Sequence, residues 1–80
     1  NRAATALGEY RKVIANHAQS NAVNVALYGM ADAFFRLHAC TDARSALEAL
    51  LKRKPKTPLA DRARALQQQI KATPAGSCTT

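Results

Sequence analysis

The stretch from Asn24 to Thr57, NVALYGMADAFFRLHACTDARSALEALLKRKPKT, decides how this chain is read. Its first half places Ala26, Leu27, Met30, Ala31, Phe34 and Leu37 at steps of three and four, the spacing of one helix face. Val23 extends that stripe upstream, so a helix is predicted over about Ala22 to Leu37. Gly29 lies inside it at a cost of roughly 1 kcal/mol against alanine, and a residue that small lets another helix come close. His38-Ala39-Cys40 reads as a short turn, after which Thr41 or Asp42 is the natural N-cap of a second helix. That helix runs to about Lys54 with Ala43, Ala46, Leu47, Leu50 and Leu51 inward. Pro55 ends it, having no N–H to donate, and Lys52-Arg53-Lys54 put cations at the negative end of the helix dipole.

Outward from this core the same pattern continues. Upstream, Ala3, Ala6, Leu7, Tyr10, Val13 and Ile14 form an apolar stripe over Arg2 to His17, with Arg2, Glu9, Arg11 and Lys12 on the other side. Ala18-Gln19-Ser20-Asn21 breaks that helix with polar, capping-type residues. Downstream, Thr57 is a candidate N-cap with Pro58 at the first helical position. Leu59, Ala63, Leu66 and Ile70 then mark a helix to about Lys71, and Thr73 to Thr80 reads as a flexible tail. No run alternates with period two between turn signals, so the expected class is all-α.

Composition agrees with this. Eighty residues (8.6 kDa) make one small domain, and 48% apolar content is too high for a disordered chain. With three glycines, three prolines and 5% aromatics, collagen-like, low-complexity and most all-β chains are excluded. No run of about eighteen apolar residues suggests a membrane span. The chain starts without Met inside a helical pattern and carries no signal-peptide anatomy, so it is expected to be a piece of something longer. Cys40 and Cys78 make neither a metal site nor a disulfide scaffold; one bridge between them is left open.

The chain also matches itself at an offset of 37 residues. Ala6 falls on Ala43, Tyr10 on Leu47, Val13 on Leu50, Ile14 on Leu51, Ser20 on Thr57 and Ala26 on Ala63. Self-similarity at this period signals stacked helix pairs. In this register the sequence resembles the tetratricopeptide (TPR) family, whose pattern is W-x2-L-G-x2-Y, then A-x3-F, then P. Leu27 stands in the Trp place, Met30-Ala31 in the Leu-Gly place and Phe34 in the Tyr place, followed by Ala43, Leu47 and Pro55. Ala31 and Ala43 are small where the two helices would cross, and Leu27, Met30, Phe34, Leu47 and Leu50 would fill the space around that contact. His38 stands where these repeats usually carry a turn glycine, which predicts a strained backbone there.

The resemblance implies a half repeat over 1–20, a full repeat over 24–57 and a capping helix over 58–72, together a helical unit over 1–72, with the tail over 73–80. The joints Ala18 to Ala22 and Lys54 to Ala63 look like those of bacterial cell-envelope TPR proteins, most closely the C-terminal repeats of the TolA-binding, cell division coordinator family. Outer-membrane assembly lipoproteins share such joints. The family's Tyr before the proline is Lys54 here. This likeness favours the periplasm, with the cytoplasm as the other compartment considered.

For function, the residues carry no chemistry of their own. His17 and His38 fall at helix ends without partners at metal-ligand spacing, the five carboxylates are scattered, and no Gly-rich phosphate loop occurs. Neither cofactor nor catalytic residue is expected. Lys52, Arg53, Lys54, Lys56, Arg62 and Arg64 make a basic cluster, but no aromatic side chain follows Phe35 to stack bases, so nucleic acid is the weaker partner. What remains is a protein-binding scaffold. The resemblance implies that the first helix of each pair lines a concave face. There Val25, Tyr28, Asp32, Phe35 and Arg36, continued by Arg64 and Gln68, are the candidate partner-binding residues. Packing of Tyr28 and Phe35 on a neighbouring helix is the competing reading. Asp32 and Val25 do not fit the type of repeat that holds a terminal carboxylate with Lys and Asn. Self-association through the first helix, a TPR tail on a membrane-associated metallopeptidase, and a basic nucleic-acid-binding helical array are the alternatives.

Overall fold

Four helices account for the chain in a computed structural model that describes residues 2–17, 20–74 and 78. They are α1 (Arg2–Asn16), α2 (Asn21–Arg36), α3 (Cys40–Lys52) and α4 (Thr57–Ala72), and no strand occurs among the described residues. The fold is all-α. Each connection is short, so each helix must turn back along its predecessor. Arg53, just past α3, reaches Asn24 near the start of α2, so those two run antiparallel. Cys78, beyond α4, is bonded to Cys40 at the start of α3, which makes the last pair antiparallel as well. It follows that α2 and α4 run in the same direction, and their first turns lie side by side.

The core is the seam that α2, α3 and α4 share. Val23, Leu27, Ala31, Cys40, Ala43, Ala46, Leu47, Leu50, Ala63, Leu66 and Ile70 are buried in one cluster. Leu47 and Leu50 are wholly inaccessible, as are Ala31 and Ala43, the two alanines placed at the helix crossing by the sequence pattern. Met30, Phe34, Leu51 and Leu59, expected inside, are half-buried against the edge of this cluster. Asn24 is a buried polar residue that the pattern did not suggest. Its amide donates to Asn21 Oδ1 (3.1 Å), and its own Oδ1 accepts from Arg53 Nε, so both ends are paired.

The helix ends show where local chemistry and expectation part. Ser20 caps α2 as its polar run suggested, accepting from Ala22 N–H at 3.0 Å. Neither Thr41 nor Asp42 caps α3. The helix begins at Cys40 with Ala39 as N-cap, and Asp42 lies in the first turn, where its charge favours the dipole. Likewise Lys56, not Thr57, is the N-cap of α4, which moves Thr57 and Pro58 into the first turn. The C-terminus of α2 closes in a Schellman motif. Ala39 N–H donates to Phe34 O and His38 N–H to Phe35 O, with His38 at φ 62°. The strain expected at His38 is therefore present, and Lys54 adopts the same left-handed conformation (φ 53°) after α3.

Of the stretch expected as a flexible tail, Thr73, Pro74 and Cys78 are described; residues 75–77, 79 and 80 lie outside the described residues. Cys78 forms a disulfide with Cys40, and both pack with the core cluster. The open question about the two cysteines thus resolves as a bridge from the chain's end to the first residue of α3.

Candidate functional site

The seven candidate residues differ in their surroundings. Tyr28 and Phe35 are half-buried and lean on the core cluster, so the packing role weighed against binding holds for much of each ring. Asp32 and Arg36 form an ion pair one turn apart on α2 (3.0 Å). They line a cleft of about 190 Å³ against α1 with Arg2, Ala3, Ala6 and Tyr10. Arg64 reaches Asp61 on its own helix at 3.7 Å, and Gln68 is exposed on α4. Such exposed pairs contribute little to stability and hold the charges loosely.

Val25 is different. It is 56% exposed, the one exposed large apolar side chain among the described residues. It also borders two cavities. One, of about 310 Å³, lies between α1 and α2 and is lined by Tyr10, Val13, Ala22, Val25 and Ala26. The other, of about 330 Å³, lies between α2 and α4 and is lined by Asn21, Val25, Lys56, Pro58, Leu59 and Arg62. Val25 lines both, so the two make a groove along the first half of α2 with Val25 standing between its halves. Each half is at the lower end of ligand-pocket size, ~300–1,000 Å³.

The groove follows from how the chain folds locally. Helix α2 touches α1, α3 and α4, and of its side chains Asn21, Ala22, Val25 and Arg36 stay exposed. Val25 is the large apolar one among them. Tyr10 sets one edge because its ring lies across Gly29, where a β-carbon would come within 2.7 Å of Tyr10 Cε1 and of its hydroxyl. The close approach expected at Gly29 is thus made by a tyrosine of α1.

The sequence pattern puts Tyr10 and Val13 on the inner face of α1, and Lys56 and Arg62 in the basic cluster. The structure brings all four to the rim of one groove. Arg53, from the same basic cluster, is spent on structure: besides Asn24 it reaches the carbonyl of Ser20 at 3.4 Å. Among the described residues no three His, Cys, Asp or Glu side chains gather as a metal site, and no helix is long and apolar enough to cross a membrane. The outer face of α1 shows no exposed large apolar side chain among the described residues. Compared with protein-family models, curated proteins and solved structures, the chain has no significant match.

Proposed function

We propose that this chain is a non-enzymatic protein-interaction module of tetratricopeptide type, taking a segment of a partner protein in the groove around Val25. The observation that carries this reading is the exposure of Val25 between two apolar-lined cavities. Val25 is contiguous with the apolar residues Tyr10, Val13, Ala22 and Ala26 on one side and Pro58 and Leu59 on the other, and a contiguous apolar surface beside charged residues is what supports a protein-interaction site. The pairing of successive antiparallel helices, with α2 and α4 co-directed, is compatible with stacked repeats.

We also propose a cell-envelope setting. The resemblance of the inter-helix joints supports it, and so does the Cys40–Cys78 bridge, since disulfides persist in oxidising compartments such as the bacterial periplasm. The reading is tested by placing a photo-crosslinking residue at Val25, or at Gln68 on α4, in the full-length gene product in its native host. Specific crosslinks to a protein from Val25 are expected. Crosslinks from Gln68 alone would move the site to the outer α4 face, and none from either position would remove the reading.

A further inference from the structure

We infer that the occupant of the Val25 groove is an acidic, amphipathic segment of another protein, with apolar side chains over Val25 and carboxylates facing Lys56 and Arg62. This rests on the interaction reading above and specifies its partner. The lining is largely apolar: Tyr10, Val13, Ala22, Val25 and Ala26 on one side, Pro58 and Leu59 with Asn21 on the other. The only charges lining it are positive, Lys56 and Arg62, and neither makes an ion pair among the described residues.

The surroundings reinforce the sign. Lys52, Arg53 and Lys54 end α3 at the same end of the molecule, where Arg53 contacts Ser20 and Asn24. The first turns of α2 and α4 both border the α2–α4 cavity and neither holds an acidic residue, so their dipoles add positive potential. None of the acids of the three groove-forming helices lines either cavity, and Glu9, Asp32 and Asp61 each lie beside a basic residue of their own helix, Lys12 (3.5 Å), Arg36 (3.0 Å) and Arg64 (3.7 Å). Asp42 and Glu48 belong to α3, which supplies none of the lining residues.

Two other occupants fit less well. A second copy of this chain would bring +7 against +7. Single-stranded nucleic acid would need stacking aromatics, and Tyr10 is the one aromatic residue on the lining.

The test is fluorescence anisotropy with three labelled peptides in which leucine alternates with glutamate, glutamine or lysine, titrated with the oxidised full chain. The glutamate peptide is expected to bind tightest. Its affinity is expected to fall as salt rises from about 0.1 to about 1 M, over which the screening length shrinks from ~10 to ~3 Å. Lys56→Gln with Arg62→Gln should weaken it about fivefold, as two partly exposed charge contacts allow. Val25→Ser should weaken it about tenfold while Arg44→Gln on α3 leaves it unchanged; circular dichroism checks that each variant keeps its helicity.

Equal binding of the glutamine peptide without salt dependence, but still lost in Val25→Ser, would overturn the acidic partner and keep the interaction module. No binding of any peptide would overturn the proposal, and the crosslinking experiment would then decide the broader reading alone. A labelled oligo-uridine that binds through Lys56 and Arg62 more tightly than the glutamate peptide, indifferent to Val25→Ser, would overturn it in favour of nucleic acid. Concentration-dependent dimers abolished by Val25→Ser would overturn it in favour of a second copy.

Discussion

Helices α1 and α4 flank the same central pair, yet α1 buries only Leu7 where α4 buries Ala60, Ala63, Leu66 and Ile70. On the α1 side, closeness comes from small residues: Gly29 lets the Tyr10 ring lie against the α2 backbone, and most of the α1 stripe is only half-covered. On the α4 side, branched side chains enter the core and a disulfide closes the end. The groove around Val25 lies between these two regimes, with one edge set by a tyrosine over a glycine and the other by the first turns of α4.

The largest test of that difference is the Cys40–Cys78 bridge. It joins residues 38 apart, and for a loop of that size the chain-entropy model gives about 4 kcal/mol. Cys40→Ala with Cys78→Ala should lower the denaturation midpoint by that order, a large share of what an eighty-residue domain has. Hydrogen exchange should locate the loss in α4 and the start of α3. Equal deprotection of α1 would show that the two flanks are not separate in the sense described here.

The next test compares one side chain from each flank. Ile70 is 1% exposed and lies in the shared cluster, so Ile70→Ala should cost about 3–4 kcal/mol. Leu7 is nearly as covered, at 7%, but stands alone as the buried residue of α1, where the surroundings can relax more freely. Leu7→Ala should therefore cost about 2 kcal/mol, read from urea midpoints with an unchanged slope. Equal costs would mean that α1 is as firmly packed as α4.

How much of this was readable in advance divides in a similar way. The four helices follow from apolar residues at steps of three and four, and the α2–α3 seam follows from where Leu47, Leu50, Ala31 and Ala43 fall. The helix starts were less legible, because α3 and α4 begin at Ala39 and Lys56, which offer no capping side chain, while Asp42 and Thr57 sit inside the first turn. The groove was half legible. Val25 was a candidate, but helical spacing grouped it with Tyr28 and Phe35, which lean on the core instead. Spacing within α2 shows which residues share a side; it does not show which of them the three neighbouring helices will cover. The pairings of Asn24 with Arg53 and of Cys40 with Cys78 depend on how distant segments meet, and no local pattern encodes them.

The smallest effect, and the one that ties packing to the groove, is at Gly29. In an exposed helix, glycine to alanine would gain roughly 1 kcal/mol of helix propensity. Here the added methyl would strike the far end of the Tyr10 side chain, so the ring must swing away and give up its packing. Gly29→Ala alone should therefore cost about 1 kcal/mol net, whereas in a Tyr10→Ala background the same change should gain about 1 kcal/mol. The resulting coupling of about 2 kcal/mol is measurable by a double-mutant cycle in urea. An additive cycle would mean that Tyr10 does not depend on Gly29 for its place. The consequence extends beyond stability, because Tyr10 borders both the Asp32–Arg36 cleft and the Val25 groove. Displacing its ring removes part of the α1 edge of the groove, where Val13 stays, and leaves Lys56, Leu59 and Arg62 where they are. Gly29→Ala should thus reduce affinity for an apolar anchor without changing its salt dependence, which separates the contribution of the α1 flank from that of the disulfide-linked one.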